Sequence, residues 1–283
     1  MEQKDERGEQ VRHRAVWILS VGLVLSPVAK AENKLFITDV LDPGQMEAQG
    51  TLRFTRSSNV SFTSGSGYRR TSRATVSLGR GLGDGFQLDA TIPYVFVDDE
   101  INTVNGVTTT RDQSGIGDLD IGLKYRIAGA EKGPYAISAR LDIKPETANS
   151  NRAGTGATNI SPQLAASLRI SDNLRPYGIY QATFRNHGQA DTHALTIGVE
   201  RTFSETVIAT LETTASMNTA SDTRASYDTY AIALSSYLQV GRNLYLIPAL
   251  SFSWIGEQRT ISGSSRVDSQ TVRAASLGIY YLF

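Results

Sequence analysis

The chain has 283 residues, 28 basic against 28 acidic side chains and no cysteine. That balance excludes a nucleic-acid binder with a basic face and a polyanionic tail. The lack of cysteine excludes disulfide scaffolds, thiolate metal centres and cysteine nucleophiles.

At the N-terminus, Arg12 and Arg14 precede an apolar run from Ala15 to Val28, and Ala29-Lys30-Ala31 supplies the small residues of a cleavage site. Residues 1–31 therefore read as a secretory signal peptide, the run being too short to span a bilayer as a helix. Residues 32–44 form a lead-in, periplasmic or lumenal, that ends on the turn signal Asp42-Pro43-Gly44. From residue 45 to 283 one pattern dominates.

That pattern is alternation with a period of two, the mark of a strand with two unlike faces. Leu52 and Phe54 oppose Thr51 and Arg53; Ala74, Val76 and Leu78 oppose Arg73, Thr75 and Ser77; Phe86, Leu88, Ala90 and Ile92 oppose Gln87, Asp89 and Thr91. The cleanest stretch runs from Gly115 to Arg126, with Leu119, Ile121, Leu123 and Tyr125 on one side and Asp118, Asp120, Lys124 and Arg126 on the other. A fifth strand sets Ile137, Ala139, Leu141 and Ile143 against Ser138, Arg140, Asp142 and Lys144. Further strands follow around Leu164–Ile170, Tyr180–Phe184, Leu195–Val199, Val207–Leu211, Tyr230–Leu234, Leu244–Trp254 and Leu277–Phe283. The sum is about 12 strands and no comparable helix, an all-β chain.

Connection lengths decide what kind. They alternate between short turns, near 81–84, 129–133, 171–173, 204–205 and 241–243, and longer polar stretches at 57–68, 98–114, 146–158, 186–192, 218–227 and 256–270. Short periplasmic turns and longer external loops are the habit of an up-and-down transmembrane antiparallel β-barrel, and they put both termini on the periplasmic side. The outward aromatics then fall into two girdles: Phe86, Tyr125, Tyr135, Phe203, Tyr281 and Phe283 at the periplasmic level, and Phe54, Phe96, Phe184, Tyr230 and Trp254 at the external one. Pro93, Pro162, Pro176 and Pro248 conflict with a closed sheet, which has no free edge to hide a missing donor, and so call for bulges or strand ends.

Chemistry is sparse. His187 and His193 flank one external loop, but no spacing makes them metal ligands with Asp191 or a hydrolase base. The glycines at 79–85 and 115–122 are followed by neither Lys-Ser/Thr nor a helix, so they read as turn and strand glycines, not a phosphate loop. No metal, cofactor or catalytic residue is assigned. What remains is the inward charged row: Asp89, Asp118, Asp120, Lys124, Arg126, Arg140, Asp142 and Lys144, as a pore lining. A hairpin would bring Asp120 to Arg140 or Asp118 to Lys144, with Asp89 reaching Lys124 or Arg126, and the mixed signs imply weak ion selectivity.

The stretch Gly115 to Arg126, with Phe86 to Tyr94 before it, resembles the outer-membrane transporter-like proteins associated with the meta-pathway of phenol degradation. That resemblance implies an outer-membrane β-barrel passing small, often hydrophobic molecules, and a Pro93 that belongs to the fold. Residues and resemblance together describe a passive channel in the outer membrane for small, hydrophobic or aromatic solutes, with a narrow charged lumen. The partners are outer-membrane lipid, the solute and the barrel insertion machinery, with no nucleic acid. The alternatives are a structural or adhesive barrel with a plugged lumen and partner-binding loops, and a membrane-embedded hydrolase.

The chain ends on Phe283, the terminal aromatic by which insertion machinery would recognise it. Deleting Phe283 is expected to lower the yield of folded barrel several-fold, measured as the fraction that migrates differently boiled and unboiled; an unchanged yield would remove Phe283 from that role.

Overall fold

A computed structural model describes residues 37–283, apart from 63–64, 105–106, 131–132, 149–152, 223 and 262–265. The signal-peptide reading of residues 1–31 lies outside the described residues. Among those described, twelve long strands follow one another: β1 (Met46–Phe62), β2 (Gly65–Gly83), β3 (Phe86–Val104), β4 (Asp120–Gly129), β5 (Tyr135–Lys144) and β6 (Asn159–Leu168), then β7 (Leu174–Arg185), β8 (Thr192–Ser204), β9 (Val207–Asn218), β10 (Tyr227–Gly241), β11 (Leu244–Ile255) and β12 (Gln270–Leu282). Each is antiparallel to its predecessor, and β12 returns to β1 with Glu47 opposite Leu282 and Leu52 opposite Leu277. The sheet closes on itself as an up-and-down barrel of twelve strands. Among the described residues no helix is long and apolar enough to cross a membrane; the strands do the crossing.

The faces are inverted relative to a water-soluble protein. Leu52, Val76, Leu88, Ile197, Leu211, Leu250 and Ile279 are all exposed, while Gln87, Asp89, Lys124 and Arg175 are buried. Large apolar side chains turned outward along every strand, over a polar interior, describe a barrel whose outer solvent is hydrocarbon.

Periplasmic turns are tight because their residues allow it. Between β2 and β3, Asp84 and Gly85 both adopt positive φ, 50° and 79°, the backbone of a two-residue hairpin that follows the strand twist. Asn243 does the same, at 63°, between β10 and β11.

Two external stretches differ from the expectation. Residues 57–68 and 98–114 are largely sheet: β1 and β2 stay paired out to Phe62 opposite Gly65, and β3 runs on to pair with a short strand, Val107–Arg111. Beyond the membrane both faces of a strand are wet, so the apolar period disappears while the Thr- and Val-rich backbone remains extended. A spanning strand needs roughly 9–11 residues, and β1, β2 and β3 have 17, 19 and 19.

Each of the four prolines within strands sits at an interruption of one of its two ladders. Pairing of β3 with β4 ends at Thr91, and Gly115–Ile116 takes over at Tyr94, leaving Pro93 between. Pro162 falls in a gap of the β6–β7 ladder between Ile160 and Gln163, and Pro248 in a gap of the β10–β11 ladder between Ala249 and Leu246. Pro176 lies one residue past the last β6–β7 pair, at Tyr177. The ladder on the other side continues through Pro162, Pro176 and Pro248, so the barrel stays closed.

The inversion can be measured at one neighbouring pair of sites on β11. Leu250→Arg, on the lipid face, is expected to destabilise the folded barrel by roughly 2–4 kcal/mol if it lies near the midplane, and Ser251→Arg, facing inward, by clearly less. Urea unfolding in lipid vesicles compares the two, and equal losses would contradict the assignment of faces.

Candidate functional site

The inner wall near the periplasmic end is a network built across strands. On β1, Glu47 accepts hydrogen bonds from Tyr280 Oη of β12 at 2.9 Å and from Gln87 Nε2 of β3 at 2.9 Å. Gln87 Nε2 also donates to Asp89 Oδ1 at 2.7 Å. Arg140 of β5 then closes the chain, Nη1 to Asp89 Oδ2 at 2.5 Å and Nε to Asp142 Oδ1 at 2.7 Å. These are charge-assisted bonds between groups largely withdrawn from solvent, where each partner is needed to offset the other's desolvation.

Several of these bonds skip a strand. Glu47 and Gln87 meet across β2, and Asp89 and Arg140 across β4. What lets them meet is a glycine at the crossing point. Gly79 stands directly opposite both Glu47 and Asp89, and a Cβ there would lie 2.6 Å from Asp89 Oδ1 and 2.7 Å from Glu47 Oε1. Gly122 stands opposite Asp89 and Asp142, and a Cβ there would lie 2.3 Å from Arg140 Nη2. The device recurs on the far side: Tyr177 of β7 crosses Gly198 of β8, where a Cβ would come within 2.4 Å of its ring, and donates to Glu212 of β9 at 2.6 Å. In these three places the missing side chain serves as a window for a neighbour's polar group.

The segment before β1 meets the same wall. Thr38, Asp39, Val40 and Leu41 are at most 3% exposed. The Thr38 hydroxyl is 3.0 Å from the Ser167 hydroxyl of β6. The Asp39 carbonyl accepts from Lys124 Nζ, the Val40 carbonyl accepts from Arg126 Nη2 at 3.3 Å, and Leu41 N donates to Gln87 Oε1 at 3.0 Å. The Asp39 carboxylate lies 3.6 Å from Arg175 of β7. Five inner-wall side chains from four strands thus hold four consecutive residues.

The structure separates the residues singled out in the sequence. Asp89, Lys124, Arg126, Arg140 and Asp142 belong to the network just described. Asp118 does not: its carboxylate caps the β5–β6 loop, accepting from Thr147 N at 3.1 Å, Ala148 N at 2.9 Å, and Thr155 N and Oγ1 at 2.7 and 2.9 Å. Lys144 donates to Thr155 Oγ1 of the same loop at 3.0 Å. Asp120 is half-buried within electrostatic reach of Arg140 and Lys144, and its Oδ1 has no hydrogen-bond partner among the described residues.

The expected pairs are corrected accordingly. Lys124, not Asp120, stands opposite Arg140, and Gly122 stands opposite Asp142. Asp118 bonds loop backbone in place of Lys144, and Asp89 is bonded by Arg140 in place of Lys124 or Arg126. The expected pairings are slipped by four and by two residues, and any even slip preserves which face each side chain occupies, so alternation alone could not distinguish these registers.

Sequence reasoning passed over Tyr280, Tyr177 and Glu212. Each stands out of phase with outward neighbours, Ile279, Tyr180 and Leu211, and strict phase counting would have placed all three inside. Higher in the lumen, Arg53 and Arg73 stand directly opposite one another.

On the outer surface, Phe54, Phe86, Phe96, Tyr125, Tyr135, Phe184, Phe203, Tyr230, Trp254 and Phe283 are exposed, and Tyr281 is half-buried. Phe86 stacks on Tyr125 with centroids 4.4 Å apart, and Tyr281 meets Phe283 edge-on at 4.7 Å. His193 packs outward between Tyr180, whose hydroxyl is 2.9 Å from Nδ1, and Phe184; His187 lies 3.8 Å from Glu146.

Residues 43–194, more than half of the chain, match the family described as "Putative MetA-pathway of phenol degradation". The chain belongs to this family. The matched span takes in Gly79, Asp89, Gly122, Lys124, Arg140 and Asp142, so the family pattern covers most of the network. Among curated protein sequences nothing matches. Among solved structures, an outer membrane channel from Pseudomonas putida F1 superposes with a TM-score of 0.64 at 11% identity, over 89% of this chain and 100% of the other. A deletion mutant of the monoaromatic hydrocarbon channel TodX gives 0.50 at 11% identity, over 89% and 93%. At such identities the likeness establishes the fold, that of an outer-membrane β-barrel.

The window role of Gly122 has a measurable cost. Gly122→Val is expected to break the Arg140–Asp89 bond and destabilise the barrel by about 3–5 kcal/mol, the penalty for breaking a buried ion pair. A valine two pairs higher, at Asp120, is expected to cost less. Urea midpoints in vesicles compare the two, and a tolerated Gly122→Val would show that the window is not needed.

Proposed function

We propose that this protein is a channel that lets small hydrophobic or aromatic solutes diffuse passively across the outer membrane. The observation that carries the reading is the arrangement inside the barrel: a charged wall satisfied within itself, with Thr38–Leu41 held against it by side chains of β3, β4, β6 and β7. A twelve-stranded barrel is narrower than the 16- to 18-stranded porins that leave an aqueous channel, and the inner segment narrows it further. Family membership supports the reading, as does the fold shared with an outer membrane channel and with a channel for monoaromatic hydrocarbons.

In this reading the wall charges are structural first. Committed to one another, Glu47, Asp89, Arg140 and Asp142 leave little free charge to bind a passing ion, while the lead-in acts as a constriction whose hold sets permeation. Lys124 is one of its anchors, donating a charge-assisted bond to a backbone carbonyl in a buried site.

Lys124→Met keeps the stem and removes that donor. Losing one charged hydrogen bond, roughly 1.5–3 kcal/mol, shifts a held-or-released equilibrium by about tenfold or more. Uptake of a small aromatic solute into vesicles is therefore expected to rise in the variant. Unchanged uptake would remove the constriction role, and a wild-type protein that passes no solute at all would overturn the channel reading in favour of a plugged barrel.

A further inference from the structure

The external end of the outer surface carries a row of arginines that the channel reading does not use. Leu52 and Phe54 point outward on β1, so Arg56, in the same phase, points outward as well. It stands directly opposite Arg70 of β2 on one side and directly opposite Arg273 of β12 on the other. Arg273 shares its phase with the exposed Leu277 and Ile279, and its guanidinium lies 5.7 Å from the ring of outward Phe252. Three guanidinium-bearing side chains thus occupy adjacent positions across three neighbouring strands.

Like charges directly opposite one another destabilise a sheet, and here one arginine faces two. Arg70 is partly neutralised: it is bonded to Asp99 at 2.5 Å, with Asp112 nearby. Arg56 packs against the Tyr68 ring at 5.6 Å and Arg273 against Phe252, and among the described residues neither has a carboxylate within ion-pair distance. An anion from outside the chain that settles between them would offset the remaining cost of the row.

The level of the row identifies that anion. Arg56 lies two residues beyond the exposed Phe54, about 7 Å farther along the strand, and Phe252, Trp254 and Tyr68 flank the site. Arginines just past outward aromatics lie where hydrocarbon gives way to headgroups. Beside them a groove of about 540 Å³, lined by Phe54, Arg70, Ser72, Val97 and Asp99 among others, opens at the barrel's external end. We propose that Arg56 and Arg273, with Arg70 beside them, bind the phosphate groups of a phosphorylated lipid of the outer leaflet, and that this face of the barrel carries a bound lipid.

The test is native mass spectrometry of the full barrel in detergent. It is titrated with a bis-phosphorylated glucosamine-disaccharide lipid, with the same lipid stripped of phosphate, and with inorganic phosphate as competitor. The wild type is expected to prefer the phosphorylated lipid. Arg56→Gln with Arg273→Gln should weaken it about 30-fold, two interfacial charges at about fivefold each. Arg201→Gln, which removes an outward arginine at the periplasmic end, should leave binding unchanged. Boiled and unboiled migration checks folding; if the double variant fails that check, each single variant is expected to lose roughly fivefold. Equal affinity for the dephosphorylated lipid, equal binding by the folded variants, or full displacement by millimolar inorganic phosphate would each overturn the proposal.

Discussion

Inside hydrocarbon a backbone N–H or C=O has no water to turn to, so every one must find its partner within the chain. Closure of β12 onto β1 follows from that constraint, as does the positioning of the prolines. A residue without an N–H is compatible with such a wall only where a ladder already pauses. Pro93, Pro162, Pro176 and Pro248 each occupy such a pause, and the opposite ladder carries the wall through the last three.

Closure also sets the chemistry of the interior. Side chains on the inner faces of neighbouring strands lie side by side, so charges placed there meet one another along the wall before they meet bulk water. Glu47, Gln87, Asp89, Arg140 and Asp142 form a continuous chain of bonds from β1 to β5 for this reason. The residues before β1 complete the lining: backbone carbonyls at Asp39 and Val40 satisfy two cations, Lys124 and Arg126, that the wall leaves pointing inward.

Much of this architecture was legible in the sequence. Alternation in Leu52–Phe54, Leu119–Tyr125 and Tyr135–Ile143 locates strands because a pleated backbone leaves no other way to present two unlike faces. Alternating connection lengths located the two ends of the barrel. Two things were not legible. The β4–β5 register was hidden because pairings that differ by an even number of residues have identical faces, and the irregularity between Arg126 and Ala128, near the end of β4, helps select among them. The extended hairpins beyond the membrane were read as loops because, with water on both sides, Thr, Ser, Asp and Arg fill both faces and the period that reports a strand is gone.

Gly79, Gly122 and Gly198 have a consequence on the scale of evolution. Turn glycines such as Gly83 and Gly85 are required by their own backbone angles, so they answer to nothing outside their hairpin. A window glycine answers to a bond between the two strands that flank it: it is dispensable in a relative whose Asp89 or Arg140 has become short or apolar, and indispensable where both charges persist. Across relatives, Gly122 is therefore expected to covary with the residues at 89 and 140, and Gly198 with those at 177 and 212. Pairs that share no backbone hydrogen bond would then be inherited as single units.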